Sequence, residues 1–354
     1  MKLKQYLAAA LTAGLLLTAG GAEAAEHLVS GQGLPENCRE LKATVAKSGP
    51  LLLFSDSPEM VYQKGVLYRD VVQGDVRIFF HHVNAMDSNK KIAVMLKNNQ
   101  GLRPSEYTIK KKGLGAPSWN YMYAGKTSQQ EYFAGQQQPE SGTLGFSRSK
   151  ELLTGTGMLL APGKLLVGTV DLHLSRPVEI SVIMCDLKND LELFNSDAPV
   201  LPMDEHPLRG SFQEADWQYN IKEPIAVSRE QPAMLELAAS CQGFAKGTDA
   251  TTSLPAENYG NYGIMYDVSF EIGGTEKVKL VLNPLGGLFA GYGMLEHNGS
   301  RQLLALPGNS LSIGDSYDDM LEVATLEPGK YKFIWSPPGA SNLPVRLYWQ
   351  SAAL

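Results

Sequence analysis

The chain has 354 residues, of which 44% are apolar and 19% charged, and its formal net charge is −6. This balance excludes a disordered chain and a protein with many membrane spans, and the acidic charge argues against nucleic acid as a partner. The 35 glycines and 20 prolines, without long amphipathic helical patterns, favour turn-rich β structure. We therefore predict an all-β protein of two tandem β-sandwich domains, jelly-roll or Ig-like, with one or two short helices.

The first 24 residues have the pattern of a bacterial export signal. Lys2 and Lys4 precede the apolar run from Tyr6 to Leu17, and Ala22-Glu23-Ala24 supplies small residues for cleavage. An apolar run of about 12 residues is too short to cross the roughly 30 Å of a bilayer's hydrocarbon. We expect residues 1–24 to be removed and the rest to be exported to the periplasm, the cell surface or the medium, without being integral to the membrane. A retained anchor is the alternative.

Residues 25–48 are predicted to form a linker with one short helix. The segment from Pro35 to Lys47 starts with a proline at a first helical position, and Gly49 follows its end. Its apolar residues Cys38, Leu41 and Val45 lie on one side of such a helix. We expect this helix to pack against the first sandwich.

Four landmarks then occur twice in the same order: a Gly-x-x-Tyr strand start, an Asn strand end, a Pro-Gly-Lys turn and a Pro-Val strand start. In the first half they lie at Gly65, Asn84, Pro162 and Pro177, and in the second half at Gly263, Asn283, Pro328 and Pro344. The matched order and spacing predict an internal duplication, with a first sandwich over 49–205 and a second over 206–354. Met203-Asp-Glu-His206 is predicted to be a solvated acidic linker between them.

Segments between the landmarks alternate with the period of two that is typical of strands. In Asp75 to Asn84, His82 falls on the face of Val76, Ile78 and Phe80, and His81 on the other face. Two adjacent histidines on opposite faces of a strand cannot bind one ion without a bulge. The same alternation predicts strands over Lys91–Asn98, over Val178–Asp186 and around Leu280. Asn298-Gly299 predicts a type I′ hairpin turn, because both residue types tolerate positive φ.

The first unit contains an insertion that is rich in rings. Gly65 and Pro162 are 97 positions apart, whereas Gly263 and Pro328 are 65 apart, so the first unit has 32 extra residues, most simply near 113–135. An extended chain there would present Trp119, Tyr121 and Tyr123 on one side. The candidate ligand-binding residues, for stacking on sugar rings or for anchoring a partner, are Trp119, Asn120, Tyr121 and Tyr123. The alternative is that these rings cover the core.

A capping-box pattern follows within the insertion. Ser128 and Glu131 are three residues apart and precede Tyr132-Phe133-Ala134, and Gly135 is a natural helix end. This spacing predicts a helix of two turns at most.

The sequence contains no recognisable catalytic or metal motif. Neither G-x-S-x-G nor H-E-x-x-H occurs, and the acidic residues form no recognisable pair. Cys38, Cys185 and Cys241 have no zinc-type spacing, and free thiols are favoured over a disulfide between Cys185 and Cys241. We expect no catalytic residue, no metal and no cofactor.

Several longer strings resemble a family of Firmicutes envelope proteins, many of which are labelled copper amine oxidase N-terminal domain proteins. These strings are Gly65–Asp70, Asp75–Asn84, Gly113–Ser118, Asp204–Gly210, Asn258–Gly263 and Ser336–Pro344. The likeness extends from about Leu51 to Tyr348. The label belongs to a stalk-like repeat for which the residues between the leader and Leu51 leave no room. The resemblance implies an envelope location, and because the label does not apply to this chain, no amine oxidase activity is expected.

These observations predict an exported, non-catalytic protein of the cell envelope that acts as a surface interaction or carbohydrate-binding module. The expected partner is cell-wall or surface polysaccharide, or another envelope protein. A secreted carbohydrate-active or metal-binding enzyme is the alternative.

Overall fold

A computed structural model describes residues 38–134, 138–229, 231–285, 287–308 and 310–353, so the predicted leader lies outside the described residues. The described residues confirm the predicted all-β class, since they form 23 strands and two α-helices. In chain order the strands are β1 (Arg39–Glu40), β2 (Ala43–Ser48), β3 (Leu51–Ser55), β4 (Met60–Val61), β5 (Gly65–Asn84), β6 (Lys90–Lys97), β7 (Ser105–Leu114), β8 (Glu140–Leu144), β9 (Ser149–Glu151), β10 (Leu159–Leu160), β11 (Leu165–Asp186), β12 (Arg209–Phe212), β13 (Asp216–Ile221), β14 (Ala233–Leu237), β15 (Ala245–Asp249), β16 (Leu254–Asn258), β17 (Met265–Ile272), β18 (Val278–Asn283), β19 (Gly291–His297), β20 (Ser300–Leu306), β21 (Leu321–Leu326), β22 (Gly329–Trp335) and β23 (Val345–Ser351). The helices are α1 (Tyr121–Phe133) and α2 (Leu191–Asp197).

The first sandwich is one sheet folded onto itself. Its two longest strands, β5 with 20 residues and β11 with 22, pair antiparallel over almost their whole length. The ladder of paired residues is interrupted between Leu174 and Val178. Gly74 lies next to this interruption and has a φ of 81°, a backbone conformation that favours glycine. Side chains from both halves of these strands, such as Val72 and Ile78 of β5, belong to one buried apolar cluster. The two halves therefore face each other across a common core.

The second sandwich is built from two separate sheets. A five-stranded sheet in the order β1-β14-β23-β18-β21 faces a six-stranded sheet in the order β2-β13-β17-β22-β19-β20. The side chains between them include Trp217 and Trp335 from the six-stranded sheet and Trp349 from the five-stranded sheet, all with at most 1% of their surface exposed. The ring centroids of Phe270 and Trp349 lie 5.2 Å apart across the two sheets. Each of these large rings buries a large apolar area in this core.

The helix predicted over Pro35 to Lys47 is wrong for the described part of that segment. Arg39–Glu40 pairs parallel with β14, and Ala43–Ser48 pairs antiparallel with β13. Each sheet of the second sandwich thereby gains an edge strand, and Leu41 joins its core. An isolated short helix is marginally stable, so sheet pairing overrides the local helical pattern here.

The repeated landmarks begin strands that pair differently in the two units. Gly65–Asn84 is one bent strand, and its first half pairs with the part of β11 that follows Pro177. In the second unit, β17 pairs with β22, which begins at the Pro-Gly-Lys turn, and β18 pairs with β23. Strands β12, β15 and β16 extend the sheet of the first sandwich beyond β3. The chain thus crosses between the two sheet systems more than once.

Helix α1 lies between the two sandwiches. The predicted helix of two turns is wrong in length, because α1 has 13 residues and begins after Asn120. The Asn120 side chain accepts a hydrogen bond from the backbone N–H of Tyr123 at 3.0 Å, which caps the helix. Close packing holds α1 in place: a Cβ added at Gly113 of β7 would lie 2.2 Å from the Ser128 carbonyl oxygen. Only a glycine lets β7 approach the helix this closely.

The first prediction follows from this contact. We expect Gly113→Ala to lower the free energy of unfolding by about 1–3 kcal/mol, because the new methyl group must push α1 away from β7. Gly101→Ala is the control, since an added Cβ there meets nothing within 4 Å. Urea denaturation of both variants measures the effect, and equal stabilities would contradict the packing described.

Candidate functional site

The rings of the insertion lie at the start of α1 and do not form the predicted extended stripe. Trp119 precedes the N-cap, and Tyr121 and Tyr123 belong to the first helical turn, so the spacing of two does not place them on one side. Trp119 is 66% exposed and Tyr123 is 42% exposed, whereas Tyr121 is half-buried and packs against an apolar cluster to which both sandwiches contribute. The strand prediction failed because the Asn120 cap outweighs an alternation of only five residues.

Trp119 is exposed and also held in place. Its indole N–H donates to the Pro162 carbonyl oxygen at 2.9 Å. The Lys164 ammonium lies 4.2 Å from the centroid of the indole, which is cation–π geometry. The Pro-Gly-Lys turn of the first unit therefore holds this ring in place through Pro162 and Lys164.

A further exposed ring, which the sequence did not single out, lies near these residues. Tyr62 is 70% exposed and directly follows β4, whose Val61 pairs with Asn84. The Tyr121 hydroxyl donates to the Gly163 carbonyl oxygen at 3.3 Å. Burial raises the pKa of Tyr121, and the nearby Glu59 and Tyr62 raise it further. Tyr62 therefore extends the exposed surface beside Tyr121.

A buried acid–base pair lies on the outer face of β5. The Nδ1 atom of His81 lies 2.8 Å from Oδ1 of Asp56, and only 4% of His81 and 9% of Asp56 are exposed. Burial raises the pKa of Asp56 to about 6 despite the opposing attraction of His81. Burial also lowers the pKa of His81, but the charge and hydrogen bond of Asp56 outweigh it and raise the value to about 9. The pair is therefore ionic near neutral pH.

The surroundings of this pair close it off from solvent. Nε2 of His81 is buried and has no hydrogen-bond partner among the described residues. A Cβ added at Gly339 would lie 3.1 Å from Cδ2 of the same ring, so the loop from Ser336 to Pro344 covers it. Asp204 accepts hydrogen bonds from the Ser57 hydroxyl and the Glu59 N–H, both at 2.8 Å. The predicted solvated linker thus fixes the loop that carries Asp56.

His82 lies on the opposite face of β5 from His81, as the alternation predicted. Nδ1 of His82 lies 2.9 Å from the Pro58 carbonyl oxygen, and Nε2 lies 2.8 Å from the Ser55 hydroxyl. Because a carbonyl oxygen only accepts, Nδ1 carries the proton and Nε2 accepts from Ser55. Burial lowers the pKa of His82 to about 3, so the ring is neutral. Their surroundings thus keep His81 protonated and His82 neutral, although the two residues are adjacent in the chain.

The described residues contain no group of three or more His, Cys, Asp or Glu side chains arranged to hold a metal ion. Cys38, Cys185 and Cys241 are unpaired, which agrees with the prediction of free thiols. No helix in the described part of the chain is long and apolar enough to cross a membrane.

Comparison with known proteins identifies no family. No protein-family profile matches the sequence, and no curated protein sequence matches it significantly. Among solved structures, the CUB1-EGF-CUB2 domain of human MASP-1/3 aligns with 88% of this chain and 99% of its own, at 9% identity and a TM-score of 0.18. So low a TM-score carries no information about the fold or function of this chain.

The second prediction concerns the buried neutral His82. Its pKa is about 3 when folded and 6.5 when unfolded, so its contribution to stability is complete above pH 6.5 and is lost as the pH falls towards 3. We expect the stability difference between wild type and His82→Asn to shrink by about 1.4 kcal/mol per pH unit over this range. The raised pKa of Asp56 changes stability with pH in the opposite direction. Wild type and variant both contain Asp56, so its effect cancels in their difference.

Denaturant unfolding at a series of pH values between 4 and 7 measures this difference. The control is His206→Asn, because the His206 side chain is 72% exposed. Parallel stability curves for wild type and His82→Asn would show that the ring is not held neutral.

Proposed function

We propose that this protein is an exported, non-catalytic module of the cell envelope that binds surface polysaccharide through the exposed rings at the start of α1. The observation that carries the proposal is Trp119, which is 66% exposed but fixed by Pro162 and Lys164. An exposed ring that is already immobilised loses little conformational entropy when it binds. Indole and phenol rings offer flat apolar faces with polar edges, which suit the C–H faces and hydroxyl groups of sugars.

The neighbouring rings support the same role. Tyr62 and Tyr123 add exposed aromatic surface, while Tyr121 anchors the start of α1 on the core. Asn120 uses its side-chain oxygen to cap α1, so its contribution is to position the rings rather than to contact a ligand through that atom. The binding role therefore falls on Trp119, with Tyr62 and Tyr123 beside it.

One observation favours the enzyme alternative. His81 is paired with Asp56 as in an acid–base dyad, and its Nε2 atom has no partner among the described residues. A catalytic base must reach the proton that it removes, and this imidazole is 4% exposed beneath the loop at Gly339. We therefore assign the pair to the packing of the two sandwiches. A screen of glycan substrates with wild type and Asp56→Asn would reverse this assignment if only wild type showed turnover.

The third prediction tests the binding role of Trp119. We expect Trp119→Ala to weaken binding to cell-wall or exopolysaccharide fractions about tenfold, equivalent to about 1.4 kcal/mol, because a central ring contact is lost. Its thermal stability should stay close to that of wild type, since the ring covers no core. Pull-down at a series of protein concentrations measures the affinity.

The matched control is Tyr317→Ala, which removes another ring with about half of its surface exposed, 51%. Periodate treatment of the fraction, which cleaves sugar diols, should abolish capture, whereas protease treatment should not. Capture that survives periodate but not protease would identify a protein partner. Equal binding by Trp119→Ala and Tyr317→Ala would remove Trp119 from the binding surface.

A further inference from the structure

A groove that shares no residue with the rings of α1 crosses the outer face of the six-stranded sheet. It has a volume of about 510 Å³ and lies where β13, β17, β19, β20 and β22 come together. This size falls within the roughly 300–1,000 Å³ typical of ligand sites. Its side chains are mostly polar, among them Asn220, Lys222, Ser269, Glu271, Asn298 and Lys330.

The groove is cationic although the whole chain has a net charge of −6. Four lysine or arginine side chains line it, against two glutamates. Arg301 pairs with Glu296 at 2.8 Å, and Lys332 pairs with Asp267 at 3.0 Å. Lys222 and Lys330 are exposed and have no ion-pair partner in the part of the chain that the structure describes. Among the described residues the groove thus holds two ammonium groups and one carboxylate without an ion pair, that of Glu271, which lies opposite Lys330 in the pairing of β17 with β22.

Contacts among its own residues hold one wall of the groove together. Asn298 and Gly299 have φ values of 50° and 77° and join β19 to β20, which confirms the predicted hairpin turn. The His297 ring stacks on Tyr331 with centroids 4.1 Å apart and planes 12° apart. Nδ1 of His297 lies 2.8 Å from the Lys330 carbonyl oxygen, and Nε2 lies 2.9 Å from Nδ2 of Asn298. A preformed wall lowers the entropic cost of binding.

We propose that this groove binds an acidic oligosaccharide. Lys222 and Lys330 pair with its carboxylate groups, and the amide, hydroxyl and carboxylate side chains of Asn220, Ser269 and Glu271 bind its hydroxyl groups. A saccharide fits better than a simple anion because the lining offers acceptors as well as donors along a groove that crosses several strands. The groove does not include Trp119. Failure of the surface at Trp119 to bind a ligand would therefore leave the proposal for the groove unchanged, and the reverse also holds.

Titration calorimetry with hexagalacturonate and its fully methyl-esterified form tests this proposal, since the two differ in charge and share the sugar rings. We expect the acid to bind at least about tenfold more tightly than the ester. The double variant Lys222→Ala/Lys330→Ala should lose about tenfold in affinity for the acid. The matched control is Lys188→Ala/Lys246→Ala, which removes two exposed charges outside the groove and should bind as wild type does.

Trp119→Ala should also bind hexagalacturonate as tightly as wild type, which separates this site from the surface at α1. Equal affinities for acid and ester, or equal losses in the two lysine double variants, would overturn the proposal. Hexaglutamate that binds as tightly as hexagalacturonate would overturn the assignment to a saccharide. If no probe gave a heat of binding at millimolar concentration, the groove would not be a binding site for acidic oligosaccharides.

Discussion

The buried guanidinium of Arg77 is the interaction on which the arrangement of the two sandwiches depends. It donates to Asp171 of the first sandwich at 2.8 Å and to Asp216 of the second at 2.9 Å, and it also reaches the Gly263 carbonyl oxygen at 3.2 Å. Burial by itself lowers the pKa of Arg77, but the carboxylates outweigh it and hold the value well above the usual range. An unpaired charge at this depth would cost several kcal/mol, so the sandwiches must dock where both acids meet this side chain.

Helix α1 takes its position from the same cluster. The Tyr132 hydroxyl donates to Asp171 at 2.7 Å, and the Lys126 ammonium donates to the carbonyl oxygens of Pro307 and Ser310. The helix is therefore bound to both sandwiches along its length, and its start lies against the turn that holds Trp119. The aromatic surface there and the cationic groove on the six-stranded sheet differ in physical character. Added salt screens exposed ammonium groups strongly and affects ring stacking little, so the two surfaces respond differently to ionic strength.

The wrong predictions share one cause, which is that a local sequence pattern does not specify the segment of the chain against which it packs. The apolar spacing from Cys38 to Val45 suits a helix, but β13 and β14 offer open edges that take this segment into the sheets. Alternating rings after Ser118 suit a strand, but the Asn120 cap and the glycine contact with β7 select a helix. Tyr62 belongs to no sequence pattern, because it is a single tyrosine in a short connection. Only its exposed position in the structure makes it a candidate for binding.

The sequence by itself determined the all-β class, the period-two strands, the Asn298-Gly299 hairpin and the opposite orientation of His81 and His82, because each follows from neighbouring residues and backbone geometry. Only the tertiary structure decided which strands pair, that Arg77 meets acids from two sandwiches, and that Trp119 is exposed while Tyr121 is half-buried. The groove likewise combines side chains from the β19–β20 hairpin with side chains from three strands elsewhere in the sequence. Such features depend on the burial of charges and rings against remote segments, and that information is absent from any local stretch of chain.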